Sequence, residues 1–204
     1  MDKKLYIQSY CKVSNNKITL NGKIIFSNDV TDLKAFLKLV YKNLEIKYSK
    51  FFKMDNLCKL AFLSAEIVLN NSGILKGERN VALVFSNNAS SLDTDRKHQE
   101  AINDKDNYYP SPAVFVYTLP NITMGEISIK NELRSESAFF VFENYNANFH
   151  HIYESSLIRY NKSNAVLGGW INVDGGEYDA FLYLVSEKGK IEHTEKNLIR
   201  LYKN

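Results

Sequence analysis

Apolar and polar positions along the chain follow two patterns, one typical of strands and one typical of helices. Strands are predicted where short apolar or alternating runs occur, at residues 5–13, 81–85, 138–142, 165–173 and 178–185. The continuous runs at 81–85 and 138–142 are typical of strands that are covered on both faces. Asn21-Gly22 and Asp174-Gly175-Gly176 are turn sequences that predict two hairpins.

Helical spacing of apolar residues predicts the remaining elements. The clearest helix follows Asp55, a favourable N-cap, and is apolar on nearly every side, which indicates burial on more than one face. Either Thr31 or Asp32 is expected to cap an earlier helix. The other segments with helical patterns are 29–48, 93–103 (a surface helix or a loop), 111–117, 120–131, 147–160 and 194–204 (a helix or a strand).

Buried strands that alternate with helices indicate an α/β layered architecture. The chain contains no internal repeat, no low-complexity tract and no linker-like segment. We therefore expect one domain spanning residues 1–204.

Composition excludes several classes of function. Lys and Arg number 26 against 23 Asp and Glu, and a net charge of +3 without a basic run does not suggest a nucleic-acid partner. No apolar run is long enough to span a membrane, and residues 1–8 do not resemble a signal peptide. Cys11 and Cys58 have no metal-ligand spacing. We expect a reduced, cytoplasmic protein that binds no metal and needs no cofactor.

Three segments resemble the β-ketoacyl-acyl-carrier-protein synthases. They are residues 53–69 (KMDNLCKLAFLSAEIVL), 111–134 (SPAVFVYTLPNITMGEISIKNELR) and 165–171 (AVLGGWI). Their order and spacing agree with the N-terminal half of that family. The resemblance implies half of a thiolase-like fold, with a mixed central sheet covered by helices on both faces. The family's catalytic histidines and its lysine belong to the second half, to which no positions here correspond.

The chain departs from the family where the nucleophile is expected. Active synthases place a cysteine at the start of a buried helix, where free N–H groups and the helix dipole lower the thiol pKa. Counting from Leu133-Arg134, that position falls on Asn144, and no Cys, Ser or Thr occurs between Ala138 and Ile152. An amide cannot form a thioester. Asn144 could cap the helix, close a former acyl site, or do both.

His150 and His151 are not predicted to be catalytic. Adjacent residues on a helix point about 100° apart, so their side chains cannot converge on one atom. We assign them surface or core positions. Glu143, beside the lost nucleophile, is the one acidic residue that would suit a different chemistry.

The family resemblance implies a dimer in which the strand at 138–142 pairs across the dimer axis. The leading hypothesis is a non-catalytic subunit of the chain-length-factor type. Its partner would be a full-length ketosynthase in fatty-acid or polyketide synthesis, for example of an aryl-polyene-type pigment. Residues carried over as candidates for lining the acyl tunnel or the interface are Tyr117, Thr118, Asn121, Thr123, Met124, Phe140 and Phe142.

Two alternatives remain open. The chain could be a homodimer that binds acyl groups or an acidic acyl carrier protein without condensing activity. It could also be an enzyme of different chemistry that uses Glu143.

Overall fold

A computed structural model describes residues 4–74, 78–104, 106 and 108–204. Residues 1–3, part of the segment judged unlike a signal peptide, lie outside this description. Eight strands form one sheet in the order β3-β2-β1-β7-β6-β4-β5, and β8 pairs with β1. The strands are β1 Tyr6–Ser14, β2 Lys17–Leu20, β3 Lys23–Ser27, β4 Val81–Asn87, β5 Ser137–Val141, β6 Ala165–Asp174, β7 Glu177–Ser186 and β8 Ile191–Glu192.

The sheet is mixed. Strand β4 runs parallel to both β5 and β6, whereas β6 with β7 and β7 with β1 are antiparallel. Both predicted hairpins are present. Asn21 and Gly22 have positive φ at the turn between β2 and β3, and Asp174 pairs with Glu177 across Gly175-Gly176.

Seven helices connect the described strands: α1 Leu33–Asn43, α2 Asn56–Ser72, α3 Leu92–Asn103, α4 Pro112–Val116, α5 Ile122–Asn131, α6 Ala147–Arg159 and α7 Glu195–Lys203. A 3₁₀ helix, Ser49–Lys53, precedes α2. Asp32 caps α1 and Asp55 caps α2, each accepting from the backbone N–H three residues on. The prediction of a helix over 29–48 was too long, because Leu44 caps α1 and Glu45 has positive φ.

Helices cover both faces of the sheet, as predicted. On one face, α1, α2 and α5 pack into the larger core; on the other, α6 and α7 pack into a second core. Helix α2 is buried from Leu57 to Leu69 without interruption, which confirms that it contacts neighbours on more than one side. The segment following β8, which the pattern left as helix or strand, is α7, capped by Thr194.

Strand β5 is only partly buried in the single chain. The prediction of a strand covered on both faces at 138–142 was therefore wrong for the single chain. Strand β5 is the last strand of the sheet and pairs with β4 alone among the described strands. Its central residues are half-buried, and Val141 is 54% exposed. An apolar run has the same sequence pattern whether its own chain or a second chain covers it, which is why the pattern could not reveal this edge.

Candidate functional site

The turn between β5 and α6 is where the resemblance places a nucleophile. The strand ends at Val141, and the side chain of Asn146 caps α6 by accepting from the N–H of Phe149 at 3.0 Å. The prediction that Asn144 caps this helix was therefore wrong. The sequence Glu143-Asn144-Tyr145-Asn146 offers two asparagines, and the helix begins after the second.

Glu143 and Asn144 are both exposed at this turn. They line two open cavities, one of about 350 Å³ and one of about 390 Å³. Trp170, Asp179 and Tyr202 contribute to the wall of the smaller cavity. The polar groups here thus face solvent-filled space and not a closed acyl site.

Tyr145 is the residue of the turn that points inwards, and it lines both cavities. Its hydroxyl lies 3.1 Å from the hydroxyl of Tyr183. Its ring lies 4.8 Å from that of Tyr202 and 5.2 Å from that of His150, measured between centroids. Burial raises the pKa of Tyr145 well above its ordinary value, with a further contribution from the charge of Glu154. The phenol therefore stays neutral.

Beneath Tyr145 lies a fully buried chain of polar groups. Ser86 Oγ lies 2.7 Å from His150 Nε2, and His150 Nδ1 lies 2.7 Å from Glu154 Oε1. The Tyr183 hydroxyl donates to the same carboxylate oxygen at 3.0 Å. On the other side, His193 Nε2 lies 3.0 Å from Glu154 Oε2, within ion-pair distance but not aligned for a hydrogen bond. We call Ser86, His150, Glu154, Tyr183 and His193 the buried relay.

The charge on Glu154 is stabilised by its neighbours. Burial by itself would raise the pKa of this carboxyl group, but its interactions with His150 and His193 outweigh burial, and the pKa is lowered from 4.5. Ser86, His150 and Glu154 have the mutual geometry of a nucleophile, a base and an orienting acid. All three are 0% exposed, so the relay joins α6 to the sheet and is closed to solvent.

The Gly168-Gly169 pair, quoted above for the family resemblance, is explained by this packing. A Cβ atom on Gly168 would lie 1.9 Å from Glu154 Oε1. Gly169 has φ of 140°, and a Cβ atom there would lie 2.0 Å from the carbonyl oxygen of Phe181. The first glycine makes room for the buried carboxylate, and the second allows close approach of β6 and β7.

Both thiols lie away from the turn. Cys11 is on β1 and Cys58 is on α2, and both are completely buried in the larger core. Burial raises the pKa of each thiol. Neither sulfur has the exposed, electropositive surroundings that make a cysteine reactive.

The remaining sequence candidates fall into two separate groups. In the first, Tyr117 and Thr118 are half-buried after α4 and Asn121 is exposed, whereas Thr123 and Met124 on α5 are each 2% exposed and belong to the core. In the second, Phe140 and Phe142 pack on Phe149, with centroid distances of 4.6 and 4.9 Å. The first group lies between α4 and the start of α5, and the second lies at the end of β5, packed against α6.

Sequence reasoning placed His150 in a surface or core position but missed the buried relay. Its members come from β4, α6, β7 and the segment after β8, so no short motif contains them. The one local signal is the spacing of His150 and Glu154, four residues apart on one helix face.

Comparison with known proteins identifies the fold. No protein-family model and no curated protein sequence matches the chain. Among solved structures, the ishigamide ketosynthase/chain length factor superposes with a TM-score of 0.63 at 12% identity, covering 90% of this chain and 62% of that one. A chain of the ketosynthase ApeO in complex with its chain length factor ApeC, from Xenorhabdus doucetiae, gives 0.61 at 11% identity, covering 98% and 90%.

A third structure is the AntDE:AntF complex of a type II polyketide synthase ketosynthase with its acyl-carrier protein, with a TM-score of 0.59 at 13% identity, covering 90% and 63%. The chain thus has the thiolase-like fold of ketosynthases and chain length factors. It spans less than two thirds of the ishigamide and AntDE:AntF chains, but nine tenths of the matched chain in the ApeO–ApeC complex.

Within the part of the chain that the structure describes, no helix is long and apolar enough to cross a membrane.

Replacing Gly168 with alanine is expected to destabilise the fold by about 3 kcal/mol, because the new methyl group would overlap the Glu154 carboxylate. Urea unfolding measures the change. Gly125→Ala is the matched control, since open space surrounds that helical glycine and alanine there should be neutral or stabilising by about 0.5–1 kcal/mol. Equal effects of the two substitutions would contradict this packing.

Stability should depend on pH through Glu154. Because its pKa is lower in the folded chain than the ordinary 4.5, the ionised group stabilises the fold above that pH, and the stabilisation is lost as pH falls through the folded pKa. Urea unfolding between about pH 6 and about pH 3 should show a smaller loss of stability in Glu154→Gln than in the wild type. Glu143→Gln, at an exposed carboxylate, should keep the wild-type profile.

Proposed function

We propose that this chain is a non-catalytic, chain-length-factor-like subunit that pairs with an active ketosynthase in polyketide or fatty-acid synthesis, such as that of an aryl-polyene-type pigment. In this proposal the whole chain, residues 1–204, acts as one domain in the cytoplasm. The observation that carries the proposal is the free apolar edge of β5, directly before the turn at which a synthase would bear its nucleophile.

The surface around that edge suits a permanent partner. Val141 on β5 is 54% exposed. Ile129 on α5, the helix that leads into β5, and Ile152 on α6, the helix that follows it, are each 60% exposed. An apolar edge strand is a hazard for aggregation unless a second chain covers it, and the helices before and after β5 in sequence each expose a further large apolar side chain.

The kind of partner is inferred from the fold. Two of the similar structures are described as complexes, one of a ketosynthase with a chain length factor and one of a ketosynthase with its carrier protein. A sheet edge that pairs with the equivalent edge of a similar fold continues one sheet through both subunits and satisfies the free backbone groups of β5. In this proposal the partner ketosynthase supplies such an edge.

Absence of condensing activity follows from the chemistry of the turn. Between Ala138 and Ile152 no Cys, Ser or Thr occurs, so no thiol or aliphatic hydroxyl there can carry an acyl group, and both thiols are buried elsewhere. In the proposed pair the partner would supply the cysteine and the proton-transferring groups.

The contribution of this subunit to the acyl tunnel is assigned to the segment after α4. Tyr117 and Thr118 are half-buried and can meet a chain that enters from the partner. Thr123 and Met124 lie behind them in the core and would support that wall. Asn121, Phe140 and Phe142 are assigned to the interface.

The alternative is a homodimer that binds acyl groups or a carrier protein. The same observation favours it, because a free edge strand can pair with its own copy across a two-fold axis. The mass of the purified chain decides between the two: a self-pairing chain has twice 23.5 kDa on its own, whereas the proposed subunit forms a one-to-one complex with a ketosynthase.

Val141→Lys is expected to abolish co-purification with a co-expressed full-length ketosynthase of the same organism, weakening the pair by roughly tenfold or more. A charge at the centre of the interface would be desolvated without a partner, while the single chain tolerates it because this position is exposed. Analytical ultracentrifugation measures the complex.

Ile24→Lys is the matched control, since Ile24 is 63% exposed on β3 at the opposite edge of the sheet. That variant should pair like the wild type. Retained pairing by Val141→Lys, or equal loss in both variants, would contradict the assignment of the interface to β5.

A further inference from the structure

The smaller cavity at the β5–α6 turn, of about 350 Å³, leads towards the buried relay. Asn88 lines this cavity and directly follows β4. Ser86 is the last but one residue of that strand. Residues two apart on a strand share a face, and Ala82 and Val84 place this face of β4 in the core beneath α6. Ser86 therefore lies on the face of β4 that packs beneath α6.

Tyr145 separates the two spaces. Its side chain lines the cavity on one side and packs on the ring of His150 on the other. Rings of Trp170, Phe181 and Tyr202 surround it, at centroid distances of 6.4, 5.7 and 4.8 Å. Aromatic rings thus contact the phenol ring of Tyr145 from several sides.

We propose that Tyr145 is a built-in plug, whose side chain fills a binding site for a neutral, phenol-sized aromatic ligand and closes Ser86 and His150 off from the open cavity. This inference goes beyond the proposed pairing and does not depend on a partner subunit. It assigns the closure of the turn to Tyr145 and not to the exposed Asn144.

The chemistry of the site selects a phenol over other aromatic ligands. The wall is made of rings, which favours a flat apolar body. One polar group, the Tyr183 hydroxyl, faces the Tyr145 hydroxyl at 3.1 Å and also donates to Glu154. A ligand without a hydroxyl would leave this partner unmatched, and an anionic ligand would be repelled by the ionised Glu154.

The test truncates the plug and returns the missing group as a free molecule. In the full-length protein, Tyr145→Ala is expected to bind p-cresol, the side chain of tyrosine, measured by calorimetry and by a rise in Tm. Binding should be about fivefold tighter than that of toluene, because only p-cresol reaches the Tyr183 hydroxyl. Adding Tyr183→Phe should remove this preference.

Two controls separate a plug from any buried ring. Tyr145→Phe keeps the site filled and should bind neither ligand, as should the wild type. Phe62→Ala removes a fully buried ring from the larger core, and should show no preference for p-cresol over toluene.

If Tyr145→Ala is insoluble when produced alone, it should be recovered by refolding with p-cresol and not by refolding with toluene. Absence of p-cresol binding by the folded variant overturns the proposal. The proposal is also overturned if Phe62→Ala prefers p-cresol over toluene as strongly as Tyr145→Ala does. It is likewise overturned if Tyr145→Ala fails to refold and p-cresol does not improve its recovery.

Discussion

The contact between the Glu154 carboxylate and the bare backbone of Gly168 sets the position of everything around the β5–α6 turn. A charge buried at 0% exposure is stable only when it is fully surrounded by donors and counter-charges. His150, Tyr183 and His193 supply these from three different elements. Helix α6 is thereby fixed against the sheet at one height and one rotation, because any other arrangement would leave the charge without partners.

Fixing α6 also fixes what the turn presents. Tyr145 must enter the core above His150, and Glu143 and Asn144 must remain outside. The same helix follows β5, the strand that pairs on one side only among the described strands. A turn without a Cys, Ser or Thr nucleophile and an adjacent apolar edge are together the basis for proposing a subunit that assists another protein's chemistry.

Much of the fold was predictable because its signals are local. Asp32 and Asp55 cap helices, Asn21-Gly22 closes a hairpin, and the buried runs of β4 and β6 are strands.

The buried relay was not predictable, since its members come together only when β4, α6, β7 and the segment after β8 have packed. At the turn, two nearby asparagines satisfy the same capping rule, and only the packing of Tyr145 decides in favour of Asn146. Apolar composition alone could not reveal the exposure of β5, because it indicates that a strand will be covered but not by which chain. Only the family resemblance implied that a second chain covers it.

The central claim is that a second, ketosynthase-like chain covers β5. Hydrogen exchange of the backbone amides of residues 137–141, measured with and without a co-purified full-length ketosynthase, tests it most directly. The account predicts that exchange in this strand slows by about tenfold or more in the complex, while exchange in β3 at the far edge is unchanged. Unchanged exchange in β5, with a complex present, would contradict it.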